Sequence, residues 1–241
     1  MQVRELNSGA RRAVKRLAGF CLAGLVTAGL GYGAVLTQVG TRAGLAGDDY
    51  IEWGTSGDEG NTPASPYNVT SGVNGLAATA TLPAGTFLIL VEGSGAGGNF
   101  AIGDVLLTTN FQNGPIRIQF ATAVAGGGLQ IQRNDFGAFT GTITAFGAGN
   151  VNFGSFNVAG NSTGAQDNSA IFLGLTSDLQ DIVALEFDVT NAGGSSDNSF
   201  LVNRLEILTQ GPEGPPVPEP SSYLLALPAL ALLLAAKRNR A

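Results

Sequence analysis

Three stretches in the middle of this chain alternate apolar and polar residues with a period of two. In residues 116–120, Ile116, Ile118 and Phe120 oppose Arg117 and Gln119; in 129–132, Leu129 and Ile131 oppose Gln130 and Gln132. In residues 183–190, Val183, Leu185, Phe187 and Val189 oppose Glu186, Asp188 and Thr190. Successive side chains of a strand point to opposite faces, so each stretch reads as an antiparallel strand with one dry face and one wet face. Runs at 76–82, 86–92, 104–109, 138–146, 151–158, 170–176 and 199–208 read as further strands, and Ala148-Gly149-Asn150 reads as a hairpin turn between two of them. Glycine fills 36 of 241 positions and charged residues only 12%, a balance that suits short strands joined by tight turns. Neither an amphipathic helix nor a repeat of fixed period interrupts the pattern. The expectation is an all-β antiparallel sandwich of jelly-roll kind over residues 47–209.

The two ends are of another composition. Arg4, Arg11, Arg12, Lys15 and Arg16 precede a Gly- and Ala-rich apolar stretch at 17–36, the order of an export signal. Two small-residue endings offer a cleavage point, Gly31-Tyr32-Gly33 and Gly44-Leu45-Ala46; the second, just before Asp48-Asp49, makes residues 1–46 the signal peptide with its helix. At the other end, Gly211-Pro212-Glu213-Gly214-Pro215-Pro216 opens an extended linker over 210–220, and residues 221–241 carry an apolar run at 223–236 followed by Lys237, Arg238 and Arg240. As a helix rising about 1.5 Å per residue that run spans roughly 21 to 24 Å, a short transmembrane helix whose basic tail stops on the cytoplasmic side.

Between linker and helix stands Val217-Pro218-Glu219-Pro220, which has no role in anchoring. The tripeptide, short apolar helix and basic tail, in that order, resemble the PEP-CTERM sorting signal. The resemblance implies that Val217, Pro218, Glu219 and Pro220 are presented to an exosortase, with Lys237, Arg238 and Arg240 as the basic stop on the cytoplasmic side of the precursor. It also implies a route across the inner membrane to the surface or extracellular matrix of a Gram-negative bacterium, with the cell envelope membrane and exopolysaccharide as partners.

Charge and residue types exclude several functions. From residue 47 to 220 the cations are Arg117, Arg133 and Arg204 against seventeen Asp and Glu, a net −14, so nucleic acid is no partner: phosphate binding needs cations to displace counterions. Histidine is absent, and the one cysteine, Cys21, lies in the export signal. Disulfides, structural zinc and His-dependent nucleophiles are therefore absent from the body. A carboxylate pair, drawn from Glu92, Asp104, Asp135, Glu186 and Asp188, is the remaining route to catalysis, as in a polysaccharide hydrolase. Plentiful carboxylates on wet faces read more simply as solubilising, and the body reads as non-catalytic.

Two binding chemistries stay open. Tyr50, Trp53 and Tyr67 form a candidate platform on which a sugar ring would stack, or else they close one end of the core. Phe139, Phe146, Phe153 and Phe156 read as core. Hard oxygen ligands for calcium are offered by Asp48, Asp49, Glu52 and the triplets Asp167-Asn168-Ser169 and Asp197-Asn198-Ser199, although Asx-turns explain the triplets without metal. No cofactor is expected. The functional expectation is an exported structural or interaction protein; a carbohydrate- or ice-binding ectodomain and a carboxylate hydrolase are the alternatives.

Overall fold

The computed structural model describes residues 34–195 and 199–211, so the expected signal residues upstream of 34 and the residues of the expected sorting signal, Val217, Pro218, Glu219, Pro220, Lys237, Arg238 and Arg240, lie outside the described part. Fourteen strands are present among the described residues: β1 Leu36–Val39, β2 Asp49–Ile51, β3 Tyr67–Thr70, β4 Ala77–Thr81, β5 Leu88–Val91, β6 Val105–Thr108, β7 Ile116–Val124, β8 Gly126–Arg133, β9 Gly137–Gly147, β10 Val151–Ser162, β11 Ile171–Ser177, β12 Ile182–Asn191, β13 Phe200–Val202 and β14 Leu205–Leu208. All named pairings are antiparallel. The larger sheet runs β1-β11-β8-β13-β6-β5, with β14 pairing β8 and β2; the smaller runs β10-β9-β12-β7-β4-β3. This is an all-β sandwich.

The strand alternation sets the core. Ile116, Ile118, Leu185, Phe187 and Val189 from the smaller sheet meet Leu129, Ile131, Leu173, Leu205 and Ile207 from the larger one, all without solvent exposure. Two details depart from strict alternation. The β12–β7 register shifts between Ile182 and Ala184, where the partners jump from Val124 to Gln119 with three extra residues on β7, and at this irregularity Ile182 is buried and Val183 half-exposed. Gln130 and Gln132, expected on a wet face, are buried: the loop between β5 and β6 reaches Gln132, and the Gln130 side chain donates to Asn168 and Ala170 of the segment before β11. Phe100, Leu106, Ala170 and Leu201 form a second small core there, and Asn99 N donates to Gln132 Oε1 at 2.7 Å. Close approach explains some of the glycine: a Cβ on Gly128 would lie 2.7 Å from the Gly174 Cα and 2.8 Å from the Phe172 ring.

The strand at 199–208 is really two. At Asn203 the chain leaves the ladder, and the side chain takes the ladder's place: Oδ1 accepts from Gln130 N at 2.9 Å while Nδ2 donates to Gln130 Oε1 at 2.7 Å. β13 then continues the sheet towards β6, and β14 towards β2.

Residues 36–46, placed in the signal peptide by the sequence expectation, pack with the sandwich: β1 pairs with β11 from Leu36↔Ser177 to Val39↔Gly174, and a one-turn helix, α1 Arg42–Leu45, capped by Thr41, buries Leu45. Arg42 adds a fourth cation to the described residues.

The registers also define two poles. Gly126, at the start of β8, pairs with Thr176 and Leu208, and Leu36 pairs with Ser177, so the first and last strands meet at that end. Val35 N donates to Asp178 Oδ1 at 2.8 Å, and Thr209 N to Asp48 Oδ1 at 2.7 Å. Chain entry and exit share one pole. Arg133, opposite Phe200, marks the other, one eight-residue strand or roughly 26 Å away.

Candidate functional site

Of the two readings of Tyr50, Trp53 and Tyr67, sugar platform or core closure, the structure does not bring the three rings onto one face. Trp53 is fully buried, and its Nε1 donates to Asn203 O at 2.6 Å; Tyr67 Oη donates to Trp53 O at 2.9 Å, with its ring 6.3 Å from that of Phe87. These two close the core. Tyr50 points to the outer face of the larger sheet, where the Arg204 guanidinium lies 4.7 Å above its ring. The signal for this outcome was present in the alternation Asp49, Tyr50, Ile51, Glu52, Trp53, which puts Tyr50 on the face opposite Trp53.

Around Tyr50 the outer face gathers charge. Arg204 contacts Glu206 at 2.6 Å and Glu52 at 3.6 Å, and Arg42 Nε lies 3.0 Å from the same Glu206. Arg42, Glu52, Asp104 and Arg204 line a cleft of about 280 Å³. Burial pushes the Glu52 carboxyl above its ordinary value, Arg204 opposes that, and Asp104 and Glu206 add to it. Two carboxylates thus share a cleft, but Glu52 is held by a guanidinium and Asp104 accepts from Asn203 Nδ2 at 3.1 Å. Of the other candidates, Glu92 is buried with Gly98 N donating to it at 2.7 Å and Asp135 is exposed beside Arg133, while Glu186 and Asp188 share the outer face of β12 with Glu186 paired to Arg117 at 2.7 Å.

Calcium candidates have other occupations. Asp48 holds Thr209 and Asp49 holds the 71–74 loop. Ser169 N donates to Asp167 Oδ1 at 3.1 Å, an Asx-turn. Asp197 and Asn198 lie outside the described residues.

The most extensive candidate surface is the outer face of the smaller sheet. Thr140, Thr142 and Thr144 of β9 present hydroxyls there, flanked by Ser155, Asn157 and Ala159 of β10 on one side and by Glu186, Asp188 and Thr190 of β12 on the other. Thr142 Oγ1 donates to Asn157 Oδ1 and Thr144 Oγ1 lies 2.8 Å from Ser155 Oγ; beyond β12 and β7, Thr79 Oγ1 donates to Asn68 Oδ1 at 2.9 Å. Its charges are few. Arg117 bonds Glu186 and lies across Phe146, which is therefore on the outer side of β9 rather than in the core between the sheets. Asp188 is pushed above its ordinary value by burial, with Glu186 adding to it. In a strongly acidic chain this sheet face is dominated by uncharged hydroxyls and amides at strand spacing. Sequence reading identified it only as a wet face.

No family model matches the chain, and no curated protein matches its sequence. Among solved structures, a DUF4465 family protein from Bacteroides caccae is similar at a TM-score of 0.37 and 12% identity, over 72% of this chain and 99% of that one.

Proposed function

We propose that this is an exported, exosortase-sorted protein of the cell surface or extracellular matrix, whose sandwich, of jelly-roll kind, has a non-catalytic structural or interaction role. The observation that carries the reading is the placement of chain entry and exit at one pole. A domain tethered through its C-terminal linker would then present the Arg133 pole and both sheets outward. The same geometry moves the signal cut. Cleavage after Ala46 would remove β1 and α1, whereas cleavage after Gly33, the other small-residue ending, keeps both.

Mass spectrometry of the full chain produced in an exosortase-containing Gram-negative host tests both ends. The mature protein is expected to begin at Ala34 and to lack Lys237, Arg238 and Arg240, and Glu219→Ala is expected to leave the tail uncut. A mature wild type that keeps its basic tail sinks the sorting reading. A start at Gly47 sinks the proposed cut alone.

The hydroxyl face supports a second reading, a carbohydrate- or ice-binding ectodomain. Neutral polysaccharide hydroxyls would exchange hydrogen bonds with Thr140, Thr142 and Asn157 without the electrostatic penalty the acidic surfaces impose on an anionic polymer. Retention on insoluble neutral polysaccharide is expected to fall by about tenfold or more in a Thr140→Asp, Thr142→Asp variant, the loss of about 1.4 kcal/mol or more. Equal retention by the variant and wild type removes this reading.

A further inference from the structure

Sheet edges differ sharply in how they are protected. β1, β3 and β5, at three of the four ends of the two strand orders, are four residues each. β10, at the fourth, runs for twelve residues, Val151–Ser162, and among the described residues pairs on one side only, with β9. A strand edge exposes a row of unpaired N–H and C=O groups, and natural sheets blunt such rows with charge, proline, bulges or shortness. β10 contains no charged residue and no proline. Its one irregularity, between Asn152 and Gly154, disturbs only the first three residues and leaves a regular run from Gly154 to Ser162.

The flank beside this edge is also unfinished. Phe153, Phe156 and Val158 point towards the core yet stay half-exposed, as does Leu36 on β1 of the facing sheet. Apolar side chains at a sheet margin gain burial when another strand is added, on the order of 25 cal/mol per Å² removed from water.

We infer that β10 is a pairing edge for a second copy of this chain, joined antiparallel, β10 to β10, so that the two smaller sheets become one. The occupant follows from charge and symmetry. Two copies of so acidic a chain repel over most of their surfaces, and least along this uncharged strand. An isologous two-fold contact sets each residue opposite a residue of the same strand, and the Ser, Asn, Ala, Val and Phe of β10 tolerate that where like charges would not. Asn157 and Thr142 would carry the hydroxyl and amide row across the junction.

Cysteine cross-linking in cells tests this on the full chain. In a Cys21→Ser background, single cysteines replacing Ser155, Asn157, Ala159 or Asn161, all exposed on β10, are treated with a short bis-maleimide. A band of doubled mass is expected from at least one position, and none from Asn68→Cys on the edge strand β3. Adding Ala159→Glu and Asn161→Glu is expected to abolish the band from Asn157→Cys while export and protease resistance stay at the wild-type level, since both side chains face solvent. No doubled band from any of the four positions overturns the inference, as does an equal band from Asn68→Cys or a band that survives the two glutamates.

Discussion

Phe187→Ala is expected to destabilise the domain by about 3 to 5 kcal/mol, while Glu186→Ala, one residue away, costs about 1 kcal/mol. Phe187 has no solvent exposure and lies between Ile116 on β7 and Ile143 on β9, so truncation opens a cavity at the middle of the smaller sheet. Glu186 is on the outer face. Its carboxylate accepts from Arg117 at 2.7 Å with both side chains partly shielded, and Arg117 also donates to Asn150 and covers Phe146, which places its cost above that of a free surface residue. Denaturant unfolding of the two variants measures the difference. Equal costs would mean that the strand faces are assigned the wrong way round.

The same alternation explains how much of the fold was legible. Long strands with several alternations, β7, β9 and the second half of β12, carry their own face assignment, and the hairpin at 148–150 follows from residues that accept positive φ: Gly149 at 70° and Asn150 at 63°. β1 and β3 have only four residues each, too few for a period to emerge. β1 was further hidden because Val35 and Leu36 continue the apolar stretch read as an export signal, which carried the expected boundary past it. The break at Asn203 was not legible either, since what holds it open is the pairing of the Asn203 amide with the main-chain N and side-chain Oε1 of Gln130, some seventy positions away. Burial of Gln130 and Gln132 is likewise a tertiary event: only a covering loop turns a wet face into a dry one.

For the candidate site, residue types served less well than faces. Trp53 and Tyr67 were grouped with Tyr50 because aromatic side chains suit sugars, yet their hydrogen bonds tie them into the core. The hydroxyl face needs three strands in register, and register is the property a single sequence states least directly. Thr142 meets Asn157 and Asp188 only because β10 and β12 both pair with β9 at those levels.

Asp49→Asn is expected to cost about 2 to 4 kcal/mol near neutral pH, through the loss of several charge-assisted hydrogen bonds to one buried carboxylate. Asp49 is 2% exposed, and its two oxygens accept from Ser71 Oγ, from Tyr50 N at 2.7 Å, from Val73 N at 2.9 Å and from Asn74 N at 3.2 Å. Burial alone would raise its pKa, but these donors together hold it below its ordinary value of 3.8. The sign follows from linkage. With the folded value lowered, the carboxylate's contribution is fully present above the unfolded value and is lost as pH falls through the folded one, below about pH 4. An asparagine keeps one acceptor and turns an N–H₂ towards donors at every pH. The gap in stability between wild type and Asp49→Asn should therefore be constant from pH 7 to about pH 5 and narrow below about pH 4, as the wild-type carboxyl takes up its own proton. Asp188 and Glu52 act in the opposite sense, because their raised values make the folded state prefer their protonated forms. Their effect is a loss of stability as pH rises from the unfolded to the folded value. Comparing each variant with wild type at the same pH removes that background. A gap that stays the same down to pH 3 would show that Asp49 holds the 71–74 loop by shape and not by charge.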